Sequence, residues 1–345
     1  MARLSIVLLL VSLSASAGPA QPGREADFYV SPRGNDSWSG TRAVPAENRT
    51  DGPFATIVRA QTAVRALQAA EPNRSRPIVV IIRGGTYFLT KPLIFAPEDS
   101  GTLHAPVVYR AYPGERPVIS GGRPIEEWTV DQNGHWQTAL RSVRSGTWDF
   151  SQLFVNEQRR FRPRAPAEGY FRIAGEVSPT PSADSLGGDD RFTYAPGSIN
   201  PAWSHRDQLE VLAFHSWSAS RLHIASIAAT RRTVSFTGTT WTNHPYGRLQ
   251  AGDRYIVTNV REALDDPGEW YLDETSGQLT YIPKRGELPA AAPVIAPRLE
   301  ELVRIEGDVE RREWVEHIHF RGLTFAHTNW NLPTGGQSFP QAEIG

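Results

Sequence analysis

The residues able to do chemistry fall into a few groups along the 345-residue chain. Asp265, Asp266 and Glu269 stand together in Asp265-Asp266-Pro267-Gly268-Glu269, just ahead of Trp270. Glycoside hydrolysis needs two carboxyl groups across one bond, roughly 5–10 Å apart with one held protonated, and this is the nearest such cluster. The same spacing is that of a turn, whose carboxylates take local backbone amides. Asp184, Asp189 and Asp190 surround Gly187-Gly188. Calcium wants about six to eight oxygens, and with no EF-type ligand loop the segment reads as a solvated loop. His317 and His319 would share one face of a strand, but no third ligand follows at a metal-binding spacing, so no metal or cofactor is expected.

Other groups suit sugar binding. Phe214-His215-Ser216-Trp217 sets an aromatic plane beside a neutral donor–acceptor, the pair that a pyranose ring and its hydroxyls use; a packed strand end is the alternative. Arg159, Arg160, Arg162 and Arg164 form a basic run. Guanidinium groups hold uronic acid carboxylates bidentately, and they also defend edge strands. His327, Asn329 and Trp330 follow the last strand, where loops leaving solenoid rungs often line a groove. The candidate substrate-binding residues are therefore His215, Trp217, Arg160, Arg162, His327, Asn329 and Trp330. No catalytic residue is assigned. No GxxxxGK[ST], GxGxxG after a strand or GxSxG appears, which argues against nucleotide and α/β-hydrolase chemistry.

The elements that must position these residues are mostly strands. Phe28-Tyr29-Val30 is a short strand, and Ser31 to Gly52 is a polar loop. Asp51 and Pro53 mark a helix start, with Ile57, Val58, Val64 and Leu67 at helical spacing through Ala70. From Ile78 short β runs recur between Gly- and Pro-containing turns, as a parallel β-solenoid behind one capping helix would require; a β-sandwich is the competing arrangement. Between about 146 and 297 the strands lengthen and alternate, with a hairpin at Trp270-Tyr271-Leu272-Asp273 and Gln278-Leu279-Thr280-Tyr281. This block reads as an inserted antiparallel β-sandwich. Solenoid-like runs return over 298–345, at Leu302–Ile305, His317–Phe320 and Leu323–Phe325. Phe320 and Phe325 open a stack whose next rungs are missing, so the chain is expected to be the amino-terminal part of a longer protein.

Met1-Ala2-Arg3, the apolar run Ile6–Val11 and Ala15-Ser16-Ala17 predict a secretory signal peptide cleaved after Ala17, with a leader over 18–27. No second long apolar stretch follows, so no membrane insertion is expected and the mature chain is placed outside the cytoplasm, secreted or periplasmic. Cysteine is absent, which excludes disulfides, thiolate metal sites and cysteine nucleophiles. The net charge of −1 gives no overall basic field for nucleic acid. Ten Trp, ten Tyr and fourteen Phe suit β-sheet cores first and flat, weakly charged ligands second.

Several stretches in order resemble a known family. They are Tyr29-Val30-Ser31-Pro32 with Gly34-Asn35-Asp36, Asp51-Gly52-Pro53-Phe54-Ala55-Thr56, Arg83-Gly84-Gly85-Thr86-Tyr87, and Tyr109 to Gly122. Leu153-Phe154-Val155-Asn156, Pro267 to Asp273 and Phe320-Arg321-Gly322-Leu323-Thr324-Phe325 continue the series. Together they resemble the secreted right-handed parallel β-helix glycoside hydrolases of family 141, which act on plant polysaccharide as xylanases and α-L-fucosidases. The resemblance implies an all-β chain, a right-handed parallel β-helix carrying an inserted β-sandwich, a polysaccharide or oligosaccharide partner, and catalytic carboxylates on later rungs that this chain does not contain. On that expectation the chain alone does not hydrolyse glycans. A non-catalytic polysaccharide-binding module and a polysaccharide lyase are the alternatives. A lyase needs a base, and arginine supplies one poorly.

Overall fold

The computed structural model describes residues 25–185, 187–240, 247–330 and 337–338. The expected signal peptide and most of the leader lie outside the described residues. The fold is all-β apart from the helix Ile57–Ala70 and short helical turns. It divides into two compact units. One holds the residues up to Tyr87 with Ile94–Val118 and Ile305–Thr324; the other holds Phe88–Leu93, Ile119–Arg304 and Phe325–Gly345.

The first unit is built on a parallel sheet. Strands Phe28–Val30, Ile78–Ile82, Val107–Ala111 and Ile318–Arg321 lie side by side in that order, and every pair is parallel. Ile78–Ile82 is apolar throughout and almost wholly buried, as a parallel strand covered on both faces must be. Strand Ile318–Arg321 pairs with Val107–Ala111 although some 200 residues separate them, so the chain comes back to this parallel sheet. Phe320 stacks on Tyr109 at 5.7 Å and Phe95 packs edge-on to both, at 5.4 and 5.6 Å.

The helix begins later than its proline cue. Thr56 is the N-cap, accepting from the Arg59 amide. Asp36 in turn accepts from the amides of Ala55 and Thr56 at 2.8 and 2.9 Å and from the Thr56 hydroxyl at 2.8 Å. Asp51 is not the cap; its carboxylate takes the amide and hydroxyl of Ser39. The glycine turns pair likewise. Glu115 of the second turn accepts from Arg83 and from the Gly84 amide of the first, both at 2.6 Å. Arg83 and the Gly84 amide together outweigh the cost of burial and hold the Glu115 carboxyl below its ordinary range.

The second unit has two cores. Antiparallel strands Thr129–Val130, Trp136–Ala139, Gln278–Tyr281 and Trp270–Asp273 form one sheet; Gly122–Pro124, Val294–Pro297, Phe154–Val155 and Gln158–Arg159 form another. The hairpin expected from the sequence is present, with Trp270 opposite Tyr281 and Asp273 opposite Gln278. Trp136, Trp270 and Tyr281 are fully buried here, so these aromatics serve the core.

The remaining strands correct the sandwich expectation. Strand Glu210–Phe214 pairs with Ala219–Ala228 on one side and with Arg254–Thr258 on the other. The sheet continues through Thr233–Phe236, Arg191–Tyr194 and Phe171–Glu176 back to Arg254–Thr258, closing a six-stranded antiparallel barrel. Register shifts between Ile173 and Gly175 and between Ile224 and Ser226 bend two strands. Such irregularities let a sheet coil onto itself and remove its edges, where two flat faces would have made a sandwich. Val211, Ala213, Leu222, Phe192, Tyr255 and Val257 fill the barrel.

Candidate functional site

A cavity of about 1060 Å³ lies in the second unit, lined by arginines and by Trp330. The segment after Phe154–Val155 delivers Arg159 and Arg164 on short strands and Arg162 from the link between them; barrel strands deliver Glu210, Arg221, Ile256 and Thr258; the segment after Phe325 delivers Asn329 and Trp330. Four of the seven sequence candidates, Arg160, Arg162, Asn329 and Trp330, are thus gathered at one place. His215, Trp217 and His327 do not line it.

Glu210 organises the cavity wall. Its carboxylate is 4% exposed and accepts from Arg162 Nη1 at 2.9 Å on Oε1 and from Arg221 Nη1 at 2.7 Å on Oε2. Burial pushes this carboxyl up, but the two guanidinium charges outweigh it and leave it ionised below its ordinary range. One negative charge therefore holds two positive ones. Arg162 Nε is buried without a hydrogen-bond partner, and Arg221 lies 6.0 Å from the Trp330 ring centroid. Trp330 is 41% exposed. Two oriented guanidiniums beside an open indole face can take a carboxylate and a flat sugar ring together.

Arg160 has a different role from the one its sequence suggests. Its side chain is buried, with Nε donating to the Tyr281 hydroxyl at 2.9 Å, Nη1 to Gln158 at 3.1 Å and Nη2 to Glu287. All three nitrogens are engaged, so Arg160 ties the strand ends under the cavity. Arg164 donates to the carbonyls of Pro166 and Gly169 and shapes the rim. Asn329 is 6% exposed; its Oδ1 accepts from the Ser151 amide at 3.2 Å and its Nδ2 donates to the Asp149 carbonyl. It positions Trp330, whose own carbonyl accepts from the Ser151 hydroxyl.

His215 is a core residue. Nδ1 donates to the Arg248 carbonyl at 2.9 Å and Nε2 lies 2.7 Å from the Ser220 hydroxyl, which leaves no ring nitrogen for a sugar. Burial pushes its pKa down despite the Arg248 carbonyl and the charges of Asp253 and Asp189. The ring braces the turn that carries Trp217, which is 61% exposed. His327 is also buried, 2.9 Å from the Ser120 hydroxyl and edge-on to Phe154.

The acidic groups resolve into local structure. Glu269 lines the cavity, and its Oε2 accepts from the amides of Asp265 and Asp266, both at 3.2 Å, as the turn reading expects. Burial raises its pKa more than those amides lower it, and the charges of Asp265 and Asp266 add to the rise. Asp189 takes Arg248 and the Leu249 amide; Asp190 takes Arg191 and Thr180. The Asp184 side chain lies outside what the structure describes. His317 and His319 do not share a strand face, because His317 has φ of 55° and the strand starts only at Ile318. Among the described residues no group of three or more His, Asp or Glu side chains is placed to hold a metal ion.

Glu210 and Arg221 were missed by sequence reasoning. Both sit at outward positions of alternating strands, and that alternation was the available signal.

No family model matches the chain. Over 171 residues it is 33% identical to Pectate lyase PEL9 of Emericella nidulans, covering 44% of this chain and 37% of that protein. A solved structure described as a glycoside hydrolase superposes with a TM-score of 0.71 at 28% identity, over 88% of this chain and 51% of the other. The chain thus spans about half or less of the length of the proteins it matches.

Proposed function

We propose that this chain belongs to an exported carbohydrate-active protein built on a right-handed parallel β-helix, and that its second unit supplies a polysaccharide-binding cavity. The observation that carries the reading is the pair Arg162 and Arg221, held by buried Glu210 beside the exposed ring of Trp330. The parallel pairing in the first unit and the likeness to a glycoside hydrolase over most of the chain support the β-helix. Plant-type polysaccharide is the substrate class, in keeping with the pectate lyase resemblance.

Cleavage is assigned to no described residue. A hydrolase needs a pair of carboxyl groups free to meet the substrate. Both oxygens of Glu210 are tied to arginines, and Glu269 is tied into its turn. Lyase chemistry, favoured by the pectate lyase match, needs a group able to lose a proton, and arginine holds its own.

The test is calorimetric titration of the purified chain with xylan, fucosylated pectin and polygalacturonate, with assays for new reducing ends and for ultraviolet-absorbing unsaturated products. Saturable binding without either product is expected. Lack of binding to all three glycans overturns the cavity reading, and turnover of any of them overturns the assignment of cleavage elsewhere. Export is tested by amino-terminal sequencing of protein recovered outside the cytoplasm, where the first residue should be Gly18.

A further inference from the structure

The outer face of the barrel carries a pattern that extends beyond the cavity. Alternation sends Val211, Ala213, Leu222, Tyr255 and Val257 into the core, so their strand neighbours Glu210, Leu212, Phe214, Arg221, Arg254 and Ile256 face outward. The register sets these in successive rows. The first is Arg164, Thr258, Glu210 and His223; the second is Ile256, Leu212 and Arg221; the third is Arg172, Arg254, Phe214 and Ala219. Members of the first two rows line the cavity. The third lies about 13 Å further along, four residues from Glu210 to Phe214 at the strand rise.

The third row brings two guanidiniums and two aromatic rings together on the outer face. Arg172 and Arg254 are direct cross-strand partners, like charges in a position that costs stability, and Arg172 Nη1 donates to the Gly252 carbonyl at 2.8 Å with no carboxylate of the described residues between the two. The Arg254 guanidinium lies 5.1 Å from the Tyr170 ring centroid and 5.9 Å from that of Phe214, and the two rings meet edge to face at 5.3 Å. Tyr170 is 49% exposed, and the exposed Trp217 follows in the turn just after Phe214. Across the three rows Arg164, Arg172, Arg221 and Arg254 meet the one carboxylate of Glu210, which two arginines already share. In a chain of net charge −1 this is a local positive track with aromatic stations.

We propose that the sugar cavity continues along this face to a second station at Tyr170, Phe214 and Arg254, and that the track takes a linear polyuronate. The inference rests on reading the cavity as a sugar site. Uronate carboxylates neutralise the opposed arginines of the third row, and pyranose faces lie against Tyr170 and Trp217 as they do against Trp330. A long chain engages both stations at once, and its second contact is intramolecular.

Titrations with trigalacturonate and octagalacturonate, with fully methyl-esterified octamer and oligothymidylate as comparators, test this. The free-acid octamer should bind at least about tenfold tighter than the trimer. Tyr170→Ala and Arg254→Gln should collapse that ratio towards one, with circular dichroism confirming the fold; Arg254→Gln relieves one opposed charge as it removes the guanidinium contacts with Tyr170 and Phe214. A trimer that binds with no length advantage, a ratio unmoved by both variants, or an esterified octamer that binds as tightly as the acid overturns the track and leaves the cavity standing. Tighter binding of oligothymidylate than of the acid octamer overturns the polyuronate in favour of single-stranded nucleic acid. Absence of all binding overturns track and cavity together.

Discussion

Arg160 donates through Nε to the phenol of Tyr281 at 2.9 Å, in the interior of the second unit. Glu287 completes the set, accepting from Arg160, from the Tyr281 hydroxyl and from the Lys284 amide. Burial pushes the Glu287 carboxyl up, but Tyr281, Lys284 and Arg160 together leave it below its ordinary range. Removing one member of a buried pair leaves the other charge uncompensated. Glu287→Ala should therefore cost about 3 kcal/mol in urea unfolding. Tyr281→Phe, which deletes both hydrogen bonds of the hydroxyl but leaves the ion pair, should cost less, about 2 kcal/mol. Equal and small losses in both variants would show that the charge is solvated after all.

Acidification should destabilise the fold from near neutrality. His215 has its pKa lowered from the ordinary 6.5 by burial, against the opposing pull of Arg248, Asp253 and Asp189. His327 is lowered by burial too, against the charge of Glu157. The unfolded chain therefore takes up protons first as pH falls. The stability these two groups confer is full above about 6.5 and is lost as pH drops from there towards their folded values. Melting temperature should decline between pH 7.5 and 5.5, and His215→Asn should flatten that decline while lowering stability at pH 7.5. A profile of unchanged steepness in the variant would remove His215 from the account.

The strands and the Trp270–Tyr281 hairpin were legible because period and turn chemistry are local properties of sequence. The return of the chain to the parallel sheet at Ile318 was legible for the same reason. Barrel closure was not, since it depends on pairing Glu210–Phe214 with Arg254–Thr258 and on two register shifts. Burial separates residues that look alike in sequence. Arg160 and Arg162 are two positions apart and both line the cavity, yet one has every guanidinium nitrogen engaged within the protein and the other keeps an unpartnered Nε. His215 looked like half of a sugar platform because nothing local reveals that Ser220 and Arg248 occupy its ring.

The helix cap should respond to substitution far from the helix itself. Asp36 accepts three hydrogen bonds from Ala55 and Thr56, and Arg59 donates to the Asp36 carbonyl while lying over the Phe54 ring at 4.5 Å. Asp36→Ala should lower stability by about 1–2 kcal/mol, as loss of a capping carboxylate does. Gly34→Ala should be at least as costly, because a Cβ there would lie 2.2 Å from the Phe54 carbonyl oxygen. Urea unfolding of both variants checks this, and a neutral Gly34→Ala would mean that the backbone of Phe54 can yield.

Trp330 and Asn329 are neighbours with different tasks, and paired variants separate them. Trp330 offers an exposed ring, while its backbone carbonyl is what holds Ser151. Trp330→Ala should therefore leave the melting temperature nearly unchanged and weaken oligosaccharide binding about tenfold, the roughly 1.4 kcal/mol expected of one aromatic stacking contact. Asn329 is buried, and its amide joins Ser151 to Asp149. Asn329→Ala leaves buried partners unsatisfied, so it should lower stability by about 1–3 kcal/mol and weaken binding by displacing Trp330. Asn329→Asp keeps the acceptor for the Ser151 amide and should recover part of the affinity. If Trp330→Ala lowers stability without touching affinity, the indole is a packing residue and the cavity binds sugar through its arginines alone.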